Sequence, residues 1–105
     1  MEELLIPYIA THPGIVLSKE LIARRITQRK FAEMIEMQPT MLNEIIRGKR
    51  PITASIALSL EKALEISAEF WIRFQYQYEL DVVRQKERTI LRLQKIEEKK
   101  LADLR

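Results

Sequence analysis

The residues that interrupt regular secondary structure all lie in the first half of the chain. Two glycines and four prolines are present, and none lies beyond residue 51 of 105. A β-rich fold would need turn residues along its whole length, and a phosphate-binding loop would need clustered glycines. The sequence therefore predicts an all-α protein. The interrupting residues are Pro7, Pro13, Gly14, Pro39, Gly48 and Pro51.

The composition excludes several classes of protein. The absence of cysteine leaves no disulfide framework, thiol nucleophile or thiolate metal site. His12 is the only histidine, so we expect neither a nucleophile–base pair nor a zinc site. The sequence has no apolar run long enough to span a membrane, and it starts with acidic residues instead of the basic residues of a signal peptide. We expect a cytoplasmic protein that is not an enzyme, has no cofactor or metal and does not bind membranes.

Capping residues and prolines predict five helices within residues 1–80. Thr27, Thr53 and Ser67 precede segments of helical periodicity and can accept a hydrogen bond from a free N–H of the helix that follows. Pro13 and Pro39 suit the first position of a helix, where a missing N–H costs nothing. The cap candidates before these prolines are Thr11 or His12 and Gln38.

The expected first helix runs to about Arg25, and Gly48 is expected to end the third. Before the first helix, residues 4–9 form a short apolar lead. The positions of the first helix expected to face the core are Ile15, Leu17 or Ser18, Leu21 and Ile22.

The second and third helices have the pattern of a helix-turn-helix. Ala32 is a small residue where the two helix axes would cross, and Met37 would fill the turn. An ordinary hairpin of two helices in a bundle has the same apolar spacing, so the spacing alone leaves both structures open. The remaining apolar positions of the motif are Phe31, Ile35, Leu42 and Ile45.

The local charge favours DNA binding over the bundle. Residues 19–50 contain eight basic and four acidic side chains, a local charge of +4 that exceeds the +3 of the whole chain. Basic residues at helix ends can contact phosphates, which fixes the register of a protein on DNA without reading sequence. The residues predicted to contact phosphate are Gln28, at a helix N-terminus, Arg29, Lys30, Lys49 and Arg50.

Base recognition would fall to the exposed side chains of the third helix. Asn43 can bind adenine through two hydrogen bonds, Thr40 can contact the thymine methyl group, and Glu44 can accept a hydrogen bond from cytosine N4. Arg47 can instead be a cation that the helix C-terminus favours. The predicted base-reading residues are Gln38, Pro39, Thr40, Asn43, Glu44 and Arg47.

Five segments of the chain have a recognisable pattern: HPG (12–14), TQRKFAEMI (27–35), IIRGKRPIT (45–53), IALSLEKAL (56–64) and SAEFWIRFQYQYEL (67–80). With these segments, about two thirds of the chain resembles the HigA class of antitoxins, which are XRE-type helix-turn-helix proteins also called plasmid-maintenance antidote proteins. The resemblance implies a five-helix, lambda-repressor-like domain that dimerises on an inverted-repeat operator. It also implies repression of its own operon and neutralisation of a cognate toxin, usually a RelE-like endoribonuclease acting on ribosome-bound mRNA.

The resemblance also implies roles for individual residues. By position, Gln28 would contact a phosphate, Thr40 and Glu44 would face bases, and Lys49 with Arg50 would hold the DNA backbone. The sequence departs from the family in three places. Such proteins usually have glycine where Glu36 lies in the turn, and polar or basic residues where Pro39 and Glu44 lie. An acidic Glu44 repels phosphate unless it finds a cytosine donor.

The fifth helix carries an aromatic stripe that can be core or, in part, an interface across a two-fold axis. Tyr76 lies off this stripe and is the better candidate for an exposed interface aromatic. The stripe is formed by Phe70, Trp71, Phe74 and Tyr78.

Residues 81–105 predict a charged, amphipathic C-terminal helix beyond a DNA-binding domain of residues 1–80. This tail is expected to pack on a second subunit or on the toxin, although packing on its own domain is the alternative. The apolar face is formed by Val83, Ile90, Leu93, Leu101 and Leu104, and the opposite basic stripe by Arg84, Arg88, Arg92, Lys95 and Lys99.

The sequence thus favours a homodimeric antitoxin that binds a double-stranded operator and a cognate toxin. Two alternatives remain. One is a stand-alone XRE-type transcriptional regulator, and the other is a protein-interaction module in which substitutions such as Pro39 and Glu44 have weakened DNA binding.

Overall fold

The computed structural model describes residues 9–104, which contain six α-helices and no strand. The expected all-α fold, with five helices followed by a helical extension, is therefore confirmed. The apolar lead expected over residues 4–9 lies, except for Ile9, outside the described residues. The helices are α1 (Pro13–Ala23), α2 (Gln28–Met34), α3 (Pro39–Ile46), α4 (Ala54–Leu64), α5 (Ala68–Arg84) and α6 (Glu87–Asp103).

The chain divides into two compact units. Residues 11–78 form the first, which contains α1 to α4 and the first part of α5, and residues 9–10 and 79–104 form the described part of the second. The buried apolar side chains all belong to the first unit, whereas α6 has no buried residue. The core consists of Leu17, Leu21, Phe31, Ala32, Leu42, Ile45, Ile52, Ile56, Ala57, Leu60, Leu64 and Trp71.

Most of the expected caps are present at the helix N-termini. Thr27 Oγ1 accepts a hydrogen bond from Lys30 N at 3.1 Å, and Thr53 and Ser67 cap α4 and α5 in the same way. His12, not Thr11, caps α1, because its Nδ1 accepts from Gly14 N at 2.8 Å. Gln38 occupies the N-cap position of α3, but its side chain forms no capping bond. The prediction that it caps α3 is wrong in that respect.

The buried face of α1 differs from the expected one. Leu17 and Leu21 are buried, but Ile15 and Ile22 are 45% and 72% exposed. The buried residues are spaced three to four apart along a line that starts at Pro13 and Gly14, because the N-terminus of α1 itself packs into the core. This line places Ile15 and Ile22 on the side that faces solvent.

Candidate nucleic-acid interface

The helix-turn-helix is built from complementary small and large residues. Ala32 and Phe31 on α2 and Leu42 and Ile45 on α3 are completely buried, as the motif requires. Met37 is half-buried in the turn, where its N–H donates to Ala32 O at 2.8 Å. This bond terminates α2 and forms part of the turn that leads to α3. The α3 helix packs against both α2 and α1.

A close approach of α1 fixes the C-terminal end of α3. A Cβ atom on Gly14 would overlap the Ile45 carbonyl oxygen and lie 2.9 Å from that of Ile46, so only glycine fits there. The His12 side chain packs beside Gly48, and its ring also makes an edge-to-face contact with Tyr78 at 4.8 Å between centroids. The HPG segment therefore supports α3, a structural role that spacing and charge alone do not indicate.

The predicted base-reading side chains share one surface. The exposed side of α3 and the segment just beyond it form a shallow depression, which includes all of the predicted base-reading residues except Gln38. Gln38 is exposed at the start of α3 but does not line this depression. The lining residues are Pro39, Thr40, Asn43, Glu44, Arg47 and Lys49.

A hydrogen bond connects this surface to the start of α2. Asn43 Nδ2 donates to Gln28 Oε1 at 3.2 Å, so the N-terminus of α2 lies beside the middle of α3. Arg29 and Lys30 are exposed in the same first turn of α2. Predicted phosphate-contacting residues thus adjoin the predicted base-reading surface on one side, and Lys49 adjoins it on the other.

An ion pair joins two residues to which the sequence assigned separate roles. Arg50 Nε lies 2.6 Å from Glu44 Oε1, and the side chains are 50% and 44% exposed. Glu44 is the only acidic residue of α3. The negative charge at the base-reading surface is therefore balanced within the protein.

The positive charge of residues 19–50 is not all available to DNA. Arg24 pairs with Glu20 at 3.2 Å and donates to the Leu64 carbonyl oxygen at 2.8 Å, so it stabilises the C-terminus of α4. Outside this pair and the Glu44–Arg50 pair, six basic and two acidic side chains make no ion pair within the described residues. The basic ones are Lys19, Arg25, Arg29, Lys30, Arg47 and Lys49. Within residues 9–104, no cluster of His, Asp and Glu is arranged to hold a metal ion.

The interface candidates of α5 and α6 differ in exposure. Trp71 is completely buried in the core, which leaves it no surface for a partner, and Phe70 packs edge-to-face on it at 5.2 Å. Tyr76 is 60% exposed, as expected for a residue off the aromatic stripe. Phe74 and Tyr78 are half-buried, and Phe70, Val83, Ile90 and Leu93 are exposed.

Comparison with known proteins decides the family. A family model described as "Helix-turn-helix" matches residues 17–71, which include α2, α3 and α4 in full and most of α1. The chain belongs to the helix-turn-helix family. Proteins of this family are DNA-binding regulators rather than enzymes, in agreement with the expectation from the sequence.

Three relatives place the chain within this helix-turn-helix family. Virulence-associated protein A′ of Dichelobacter nodosus is 37% identical over 69% of this chain, and the match spans 64% of that protein's own length. A solved addiction-module antidote protein of the HigA family from Coxiella burnetii is 28% identical, covers 72% of this chain and 84% of its own, and superposes with a TM-score of 0.69. The Pseudomonas aeruginosa antitoxin HigA, solved with the higBA promoter, is 31% identical with a TM-score of 0.68.

The match to the Pseudomonas aeruginosa antitoxin HigA covers 70% of this chain and 82% of that protein. The resemblance to HigA-type antitoxins that the sequence segments indicate is therefore confirmed by structure. Within the described residues, no helix is both long and apolar enough to cross a membrane.

Proposed function

We propose that this helix-turn-helix protein is a cytoplasmic antitoxin that binds its own operator, represses its operon and neutralises a RelE-like mRNA endoribonuclease. One observation carries the DNA-binding part. The exposed face of α3 presents polar side chains, with Arg29 and Lys30 on one side of it and Lys49 on the other. A helix presented in this way fits the major groove, with flanking cations at the phosphates. The HigA structure with promoter DNA supports the same mode.

The roles of individual residues follow from this mode of docking. Thr40, Asn43, Glu44 and Arg47 face the bases, preceded by Gln38 and Pro39 at the leading end of α3. Gln28, Arg29, Lys30, Lys49 and Arg50 contact the phosphate backbone and fix the register of α3 in the groove.

A homodimer would place two copies of α3 on the two halves of an inverted repeat. Operator symmetry mirrors the two-fold symmetry of the protein in such complexes. The exposed apolar and aromatic residues of α5 and α6 are candidates for the contact between subunits or with the toxin. They are Phe70, Tyr76, Val83, Ile90 and Leu93.

Repression is tested with a reporter gene placed behind the DNA upstream of the protein's own gene. Supplying the chain in trans should lower reporter output, and the double variant Thr40→Ala/Asn43→Ala should abolish this effect because it removes base contacts from an exposed surface. The variant Lys62→Ala, an exposed basic residue on α4, is the control and should repress normally. Equal repression by all three proteins contradicts specific operator binding.

Toxin neutralisation is tested with the neighbouring open reading frame. If the proposal is right, its product expressed alone arrests growth and cleaves mRNA in translating ribosomes, and co-expression of the chain restores growth. Repression with no toxic neighbour would identify a stand-alone regulator instead.

A protein-interaction module is the second candidate function, and the exposure of every apolar side chain of α6 favours it. It predicts that partner capture depends on α6 and that substitutions on α3 have no effect on any activity. Loss of repression in the α3 variant would contradict this candidate.

A further inference from the structure

Glu44 creates an electrostatic conflict on the surface proposed to enter DNA. It is the one acidic residue of α3, and it lines the same depression as Thr40, Asn43 and Arg47. Next to the phosphate backbone, an unbalanced carboxylate would oppose binding. Its partner in the structure is not Arg47, the C-cap residue of α3, but Arg50, which lies further beyond the end of the helix.

The atoms used in this pair leave both groups able to contact DNA. Arg50 binds Glu44 Oε1 through Nε, and its Nη atoms form no hydrogen bond within the described residues. A guanidinium has five N–H donors, so the Nη groups can bind a phosphate while Nε–H holds the carboxylate. Glu44 Oε2 accepts no hydrogen bond within residues 9–104 and can accept one from cytosine N4.

The pair contributes little to the stability of the free protein. About half of each side chain is exposed to solvent, where water screens the attraction. In a groove that excludes water, the same contact would be stronger, and a carboxylate without it would be buried beside phosphates. The Glu44–Arg50 pair would therefore contribute more to the stability of a DNA complex than to the stability of the free chain.

We propose that Arg50 is a positioning residue that holds the Glu44 carboxylate against cytosine while its own Nη groups bind phosphate. The inference rests on the proposed function, since it requires α3 to lie in the major groove. It specifies that each operator half-site has a cytosine opposite Glu44. The proposal also couples base recognition to the phosphate contact, because the Arg50 guanidinium binds both the Glu44 carboxylate and the phosphate.

The test uses the full chain and two duplexes. One carries the half-site selected by the wild-type protein from a random library, and the other has the cytosine opposite Glu44 replaced by thymine, with the complementary strand adjusted. Dissociation constants are measured over a salt series. Wild type should prefer the cytosine duplex about tenfold, the usual size of one good base contact. Glu44→Gln should reduce this preference to less than threefold.

Substitutions of Arg50 and Lys49 separate positioning from simple phosphate binding. Arg50→Lys should keep the slope of affinity against salt but lose the cytosine preference. An ammonium has no rigid planar fork to hold the carboxylate in a fixed position while it also binds phosphate. The matched control Lys49→Ala should weaken binding to both duplexes equally and lower the salt slope by about 0.9. Combining Glu44→Gln with Arg50→Lys should cause no further loss of preference.

Each contrary result has a distinct meaning. A wild-type protein that binds without preferring cytosine, or an Arg50→Lys variant that keeps the full preference, overturns the positioning role and leaves DNA binding intact. A wild-type protein that binds no duplex in a salt-dependent manner overturns the proposed function itself. Thermal unfolding midpoints should agree among all variants, because Lys49 and Arg50 are exposed and Glu44 is only half-buried. A lowered midpoint for Arg50→Lys would contradict the assignment.

Discussion

At the scale of single residues, the tightest packing contact is the one between Gly14 and the C-terminal end of α3. The absent side chain lets α1 touch the carbonyl oxygens of Ile45 and Ile46. Spacing and charge do not reveal such an approach, because the contact joins residues about thirty positions apart. Trp71 differs, since its place in an aromatic stripe already offered the core as one of two interpretations, and it is completely buried.

We expect Gly14→Ala to lower the free energy of unfolding by about 2–3 kcal/mol, because the added methyl group forces α1 away from α3. This change is measured by urea titration with circular dichroism as the unfolding signal. Gly48→Ala is the control, since an added Cβ there meets His12 only at 3.5 Å and the cost comes from a positive φ of 77°. That cost should be about 1–2 kcal/mol. An unchanged stability of Gly14→Ala would contradict the close packing of α1 on α3.

At the scale of helices, the sequence predicted the N-terminal ends of the helices better than their C-terminal ends. Thr27, Thr53 and Ser67 carry hydroxyl groups that cap, and the structure uses all three. Four helices end at or just before a residue of positive φ, yet only that of α3 is a glycine. The others are Arg25, Glu36 and Glu65.

The Arg and Glu residues at these helix ends are not residue types that predict a left-handed backbone conformation. The first helix therefore ends at Ala23, before the expected Arg25, because the latter has a φ of 58°. The same argument applies to Glu36, at the turn position where the resemblance to the antitoxin family implies glycine. Its φ of 55° shows that the backbone keeps the conformation that glycine favours.

We expect Glu36→Gly to raise the free energy of unfolding by up to about 1 kcal/mol, because glycine adopts a positive φ without strain. The matched control is Glu33→Gly, in the last turn of α2, which should lower it by up to about 1 kcal/mol. Denaturant midpoints of the two variants measure the difference. Equal destabilisation by both substitutions would contradict the strained turn.

At the scale of the whole molecule, the two compact units differ in how far sequence explains them. The pattern of apolar residues, caps and charge identified the helix-turn-helix and the surface of α3. The pairing of Glu44 with Arg50 was not predictable, because residues six apart meet only after the chain leaves α3. For α6 the amphipathic pattern was visible in the sequence, but none of its residues is buried, so the pattern alone does not indicate what its apolar face contacts.

We expect removal of residues 86–105 to leave operator binding within about threefold in a chain that keeps α1 to α5, since α6 contributes no buried side chain. Of the two contacts proposed for the exposed apolar face of α6, a contact with the toxin predicts that capture of the toxin is lost. Co-purification with the tagged product of the neighbouring gene and a mobility shift measure the two activities. Toxin capture by the shortened chain would contradict the role given to α6.

DNA binding by the surface of α3 is tested most directly by a mobility shift with the DNA upstream of the protein's own gene, repeated over a salt series. Four of the five phosphate-contacting candidates in each subunit are cations. The logarithm of the affinity should therefore fall linearly with the logarithm of the salt concentration, with a slope of about −3.6 per half-site. Asn43→Ala should change the preference among operator variants at the same slope. Binding that does not respond to salt, or no binding at all, would contradict a DNA-binding function for this surface.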